Sequence, residues 1–262
     1  QPMAQTAAVP STATFTASSN ADPSATVQWQ LSIDGGSTWN NIMGATSTSY
    51  TTPSTTPSMD QYQYRAMFTN SQGSTNTNAA ILTVQAAPII SSQPMAQTAA
   101  VPSTATFTAS AISNPSATVQ WQLSIDGGST WNNIMGATST SYTTPSTTPS
   151  MDQYQYRAMF TNSQGSTNTN AAILTVQYAP IISSQPMAQT AAVPSTATFT
   201  ASSNADPSAS VQWQLSIDGG STWNNIMGAT STSYTTPSTT SSMDQYQYRA
   251  VFTNSQGSTN TN

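Results

Sequence analysis

The chain has 262 residues, but only 4% are charged, against about 25% in an ordinary soluble protein. Every charge is an Asp or an Arg, and the net charge is −5; Glu, Lys, His and Cys do not occur. Three scattered arginines cannot form the basic patch that nucleic acid or an anionic membrane requires, and a chain without Cys has no disulfide or thiolate metal site.

Six Trp, ten Tyr and six Phe fall at strand spacing, which argues for a packed fold despite the abundant Ser and Thr. No run of about 18 apolar residues is present, so no membrane span is expected. The stretch opens at Gln1 without a charged segment followed by an apolar one, so no signal peptide is expected within it.

From the first residue onward, Ser11 to Ala17 alternates, with Ala13, Phe15 and Ala17 facing inward. Asn20-Ala21-Asp22-Pro23 reads as a turn. Val27 to Ile33 alternates again, which places Val27, Trp29, Leu31 and Ile33 on one buried face and Gln28, Gln30 and Ser32 on the other. Asp34-Gly35-Gly36 is a hairpin turn, because Gly supplies positive φ. A short strand through Trp39 to Ile42 ends at Gly44. Thr46 to Thr52 is β-branched and carries Tyr50. The Pro/Ser/Thr run from Thr51 to Ser58 reads as a solvated loop or an O-glycan carrier. Gln61 to Phe68 sets Tyr62, Tyr64, Ala66 and Phe68 on one face. Asn70-Ser71-Gln72-Gly73 turns into a last strand from Ala79 to Val84, with Ala80, Leu82 and Val84 inward.

The whole pattern then repeats. Gln1-Pro2-Met3-Ala4-Gln5 returns at Gln93 and Gln185, a period of 92 residues, and Trp29 returns as Trp121 and Trp213. That period is too long for a solenoid unit and suits a small β-sandwich. The expected fold is all-β: three tandem antiparallel sandwiches at 1–85, 88–177 and 180–262. Copy boundaries fall at Gln85-Ala86-Ala87-Pro88 and Gln177-Tyr178-Ala179-Pro180. About three residues separate each last strand from a first strand at Ile89-Ile90, and so short a Pro-stiffened linker predicts a rod. The first copy lacks the Ala-Pro-Ile-Ile-Ser-Ser lead-in, and the third stops at Asn262, before the strand equivalent to Ala79 to Val84. The expectation is a window cut from a longer array; the alternative is an open groove filled by a strand from another chain.

Trp29 stands twelve positions after Ala17 and precedes Asp60-x-x-x-Tyr64-x-Ala66. This resembles the Cys…Trp…Asp-x-x-x-Tyr-x-Cys framework of bacterial immunoglobulin-like domains, with Ala17 and Ala66 at the Cys positions. The resemblance implies tandem surface or secreted domains, a tyrosine corner at Tyr64 and an apolar pin where a disulfide would stand. Ser32-x-Asp34-x-Gly36-x-Thr38-Trp39 also resembles the Asp-box hairpin known from sialidases. In that family the box lies away from the catalytic centre, which needs clustered arginines; here the pattern implies a hairpin held by the Asp34 carboxylate.

No catalytic, cofactor-binding or metal-ligating residue is assigned. Hydroxyls are plentiful, but a Ser or Thr nucleophile needs a base, and neither His nor Lys occurs. Asp34 and Asp60 are too few for calcium, which takes six to eight oxygens. Arg65 faces outward and is free to pair with a cross-strand Asp or a neighbouring domain. No N-glycosylation sequon is present.

Copies one and two differ at five of 92 positions: Ser19/Ala111, Asn20/Ile112, Ala21/Ser113, Asp22/Asn114 and Ala86/Tyr178. Copies this similar suit repetition itself. The expected role is a structural extracellular protein without cofactors, forming a stiff rod or self-associating filament. The alternative is an adhesin stalk or glycan-binding surface module.

Overall fold

The computed structural model describes residues 1–262. The first domain contains β1 (Gln5–Ala8), β2 (Thr14–Thr16), β3 (Thr26–Ser32), β4 (Asn40–Asn41), β5 (Ser49–Thr51), β6 (Gln63–Asn70), β7 (Gly73–Asn76) and β8 (Ala80–Ser92). One sheet runs β1-β8-β6-β3-β4, and β2 pairs with β5 in the facing layer. The pairing is antiparallel except at β1, which lies parallel to β8 with Gln5 opposite Leu82. β1 is not visible in the alternation, because Gln-Thr-Ala-Ala carries little strand signal of its own.

The second domain contains β9 (Gln97–Ala100), β10 (Thr106–Thr108), β11 (Ser110–Asn114), β12 (Thr118–Ser124), β13 (Asn132–Asn133), β14 (Ser141–Thr143), β15 (Gln155–Asn162), β16 (Gly165–Asn168) and β17 (Ala172–Ser184). The third contains β18 (Thr198–Thr200), β19 (Ser202–Asp206), β20 (Ser210–Ser216), β21 (Asn224–Asn225), β22 (Ser233–Thr235), β23 (Gln247–Asn254) and β24 (Gly257–Asn260). A single turn of 3-10 helix, Pro57–Met59 in the first copy, closes each Pro/Ser/Thr run. The fold is a tandem of three all-β sandwiches.

The core of the first domain joins Phe15, Trp29, Tyr64, Leu82 and Val84 with Ala13, Ala17 and Ala66, all buried. Trp29 lies directly across from Ala66 on β6, and its Nε1 donates to Ser47 O at 2.9 Å. Tyr64 stacks on Phe15 at 4.6 Å between centroids. The same set recurs in the second domain around Trp121. Burying each large side chain contributes about 1.5–3 kcal/mol.

Two expectations need correction. Ile33 is exposed, not inward, because β3 ends at Ser32 and the chain turns away to start the hairpin. The expected gap between the last strand of one copy and the first of the next does not exist: β8 and β17 each run unbroken for 13 residues through the linker. Asn20 to Pro23 forms no strand and bends at Asp22-Pro23, as expected, but the equivalent residues of the later copies lie on β11 and β19 beside a linker strand. Ser202-Ser203-Asn204-Ala205-Asp206 forms β19 against β17, while the identical Ser18-Ser19-Asn20-Ala21-Asp22 forms no strand. Sequence cannot separate these two segments; the presence of a pairing edge does.

The third copy shows the converse. Gln189-Thr190-Ala191-Ala192 matches β1 and β9 in sequence but forms no strand.

Candidate functional site

Two arrangements recur from domain to domain. The first is the turn after β3. The Asp34 carboxylate accepts the Thr38 N–H at 2.9 Å and the Thr38 hydroxyl at 2.6 Å. It also accepts the Ser32 hydroxyl at 2.7 Å. These bonds favour the charged form, and they hold the carboxyl down at about 2, led by the Thr38 hydroxyl. Gly35 and Gly36 carry φ of +72° and +92°, values that side chains rarely adopt. The Trp39 Nε1 donates back to Gly36 O at 2.9 Å. The carboxylate's acceptor sites are therefore spent on its own turn, as the sequence predicts.

Arg65 corrects a further expectation. It pairs with no Asp; its guanidinium lies over the Trp39 ring, and its Nε donates to Gln30 Oε1. Gln30 is buried under this stack and passes an amide N–H to Asn41 Oδ1 at 2.9 Å. Asp60 lies elsewhere and accepts the Val84 N–H at 2.7 Å, closing its loop onto β8. No three acidic side chains come together. Nor is the Pro/Ser/Thr run simply solvated. Thr52 and Thr55 are buried: Thr52 Oγ1 accepts the Ala13 N–H at 3.0 Å, and Thr55 donates to Ser11 O at 2.9 Å. The hydroxyls of Thr51, Ser54, Thr56 and Ser58 are exposed.

The second arrangement is the domain junction, which the sequence does not reveal. β11 lies antiparallel to the linker half of β8, with Ile112 opposite Ile89 and Ala111 opposite Ile90. The β15–β16 hairpin then grips the linker backbone from the second domain. Asn162 Nδ2 donates to Ala86 O at 2.8 Å, and the Thr167 hydroxyl donates to Pro88 O at 2.6 Å. Gln164 Nε2 reaches Gln85 Oε1 at 3.1 Å. The next junction repeats the grip through Asn254 to Tyr178 O at 2.9 Å and Thr259 to Pro180 O at 2.6 Å. Pro88 and Pro180 give up no N–H needed here, and their carbonyls serve as the acceptors.

A tandem of β-sandwiches with an immunoglobulin-like layout is the class these features define. An I-band fragment of titin matches it over 100% of this chain and 94% of its own, with a TM-score of 0.50 and 14% identity. Extracellular domains 3–5 of Drosophila OTK align over 99% of this chain and 92% of their own, with a TM-score of 0.41 and 16% identity. The family described as Domain of unknown function (DUF8696) matches at residues 3–86, 90–180 and 182–262, and the chain belongs to it. Endoglucanase C of Cellulomonas fimi is 39% identical over 175 residues, which are 66% of this chain. The matched region spans 15% of that relative's length. No helix is long and apolar enough to cross a membrane.

Proposed function

We propose that this chain is a stiff, non-catalytic spacer of an extracellular protein: a rod of immunoglobulin-like domains that holds other parts at a set distance. The observation that carries this reading is the unbroken 13-residue strand shared by neighbouring domains. A flexible linker would have to lose strand pairing to bend. Here bending at the first junction would break the β8–β11 ladder and the bonds from Asn162 and Thr167. Each neutral hydrogen bond contributes about 1 kcal/mol, so several together resist thermal bending.

The lack of a His or Lys base, and of any acidic cluster, supports a role without catalysis. The partial match to Endoglucanase C supports placement as an accessory segment of a larger secreted protein. Electron microscopy of the isolated chain tests the reading. Discrete rods roughly 120 Å long, from three domains at about 40 Å each, are expected. Ordered fibres would favour self-assembly instead, and compact or variably bent particles would sink the rod.

A second reading, adhesion to polysaccharide, draws support from that same relative's name and from the nearly uncharged surface. Retention of the chain on insoluble glucan at moderate salt, without an added catalytic domain, is its test. No retention removes it.

A further inference from the structure

All five positions at which the first two copies differ lie at the domain junctions. Ala111, Ile112, Ser113 and Asn114 sit on β11, and Asn114 is the register partner of Ala86 on β8. At the second junction the register sets Asp206 opposite Tyr178. The third copy adds Thr26/Ser210, Pro57/Ser241 and Met67/Val251. None of these is on β11, β19 or the linker strand, and Ser210 keeps the hydroxyl bond of Thr26, at 3.0 Å in both.

Beyond the shared Asn and Thr grip on the linker, the two junctions differ at one facing pair. At the first, Asn114 Nδ2 donates to Val84 O at 3.1 Å and lies 3.5 Å from Asp60 Oδ1. One amide thus holds the second domain to a carbonyl and a carboxylate of the first. At the second junction Asp206 takes the place of Asn114, and Asp152 that of Asp60. A carboxylate has no N–H to donate. It also adds a second negative charge on the side of Asp152, whose Oδ1 accepts the Val176 N–H at 2.8 Å. The linker residue there is Tyr178, whose side chain packs against the core of the second domain. Ala86, with one methyl, offers no such packing. To that shared grip the first junction adds an amide beside a small residue, and the second adds ring burial beside a carboxylate.

We propose that these facing positions form a neighbour code: a linker with Ala fits a following domain with Asn, and a linker with Tyr fits one with Asp. The surface is the pairing edge of β11 or β19, and the partner is the linker strand of a copy of matching type. Near-identical tandem domains are prone to exchange strands or to dock out of order. A code at the junction removes that degeneracy where the copies meet, by penalising the mismatched pair as well as favouring the matched one. This goes beyond the rod reading, since it concerns which copy follows which.

The test is a double-mutant cycle in the full chain, read by hydrogen exchange of the amides from Ala86 to Ser92. Asn114→Asp alone is expected to lower their protection about tenfold, equivalent to about 1.4 kcal/mol. Ala86→Tyr added to it is expected to restore protection to within about threefold of the parent, the size of coupling seen between contacting residues. If Asn114→Asp prevents folding, the reciprocal cycle decides: Tyr178→Ala exposes the Tyr178 to Ser184 amides, and Asp206→Asn restores them. Amides of β3 and β12 report whether the sandwiches remain intact. Purely additive effects in the cycle that folds would overturn the code.

Discussion

The Arg65 guanidinium lies 4.2 Å over the Trp39 ring while its Nε donates to Gln30 Oε1 at 2.7 Å. Arg157 over Trp131 and Arg249 over Trp223 repeat the arrangement at 4.2 and 4.3 Å. Every arginine of the chain is used this way. A planar guanidinium can stack on a ring and donate in its own plane together, which an ammonium cannot. The stack closes the turn after β3 over the buried Gln30 amide.

Arg65→Lys, Arg157→Lys and Arg249→Lys combined should therefore destabilise the chain although the charge is kept. The expected cost is roughly 0.5–1 kcal/mol per domain, the range of a partly exposed cation–π contact. A shift of the urea midpoint to lower concentration, with the slope unchanged, is the expected result. An unchanged midpoint would show the stack to be ornamental.

The Trp29 ring is wholly buried, with Ala66 across the sheet and the Phe15 and Tyr50 rings 6.4 and 6.2 Å away. Trp29→Ala should cost about 3–5 kcal/mol, the usual loss for a large buried aromatic. Ala66→Val should also destabilise, by about 1–3 kcal/mol, because the strand opposite Trp29 leaves no room for two more methyls. Thermal unfolding of each variant measures both. A neutral Ala66→Val would mean that the pin between the sheets is loose.

Two glycines separate conformation from space. At Gly44, φ is +76° and an added Cβ would meet nothing within 4 Å. Gly44→Ala should cost only the left-handed backbone, about 1 kcal/mol. At Gly36, φ is +92° and the Cβ would come 3.0 Å from Gln63 Oε1. Gly36→Ala should cost more than Gly44→Ala by the same unfolding assay, since strain and crowding combine there. Equal costs would contradict this description of the turn.

Asp34, Asp126 and Asp218 are each held at about 2, below the ordinary carboxylate value of 3.8. A lowered folded-state pKa means that the unfolded chain binds the proton more tightly. The three turns thus contribute stability above about pH 4, and that contribution is lost as pH falls toward 2. Carboxyl carbon shifts followed by NMR should give midpoints near 2 for these residues. Midpoints at the ordinary value would mean that the Thr38-type hydrogen bonds do not persist in solution.

Much of the sandwich was legible because its central strands carry their own signal. Trp29 alternates with polar neighbours, Asp34-Gly35-Gly36 needs positive φ, and Tyr64, Ala66 and Phe68 keep one face inward. β1 and β11 were not legible, because their strand character comes from a neighbour. Gln-Thr-Ala-Ala is a strand in the first two copies because β8 and β17 pair with it. The junction escaped for the same reason. Asn162, Thr167 and Asn114 look like ordinary turn and loop residues until the linker backbone is placed beside them. Ile33 misled because alternation continues one residue past the point where the strand stops.

The central claim, that neighbouring domains are fixed to one another by a shared strand, is tested most directly by a distance across one junction. The chain has no cysteine, so Ser54→Cys with Ser146→Cys places spin labels at equivalent exposed loop positions of the first two domains. Pulsed electron resonance should give one narrow distance peak near about 40 Å, one domain length by strand rise. A broad or multiply peaked distribution would show that the junction bends freely, and it would contradict the rod.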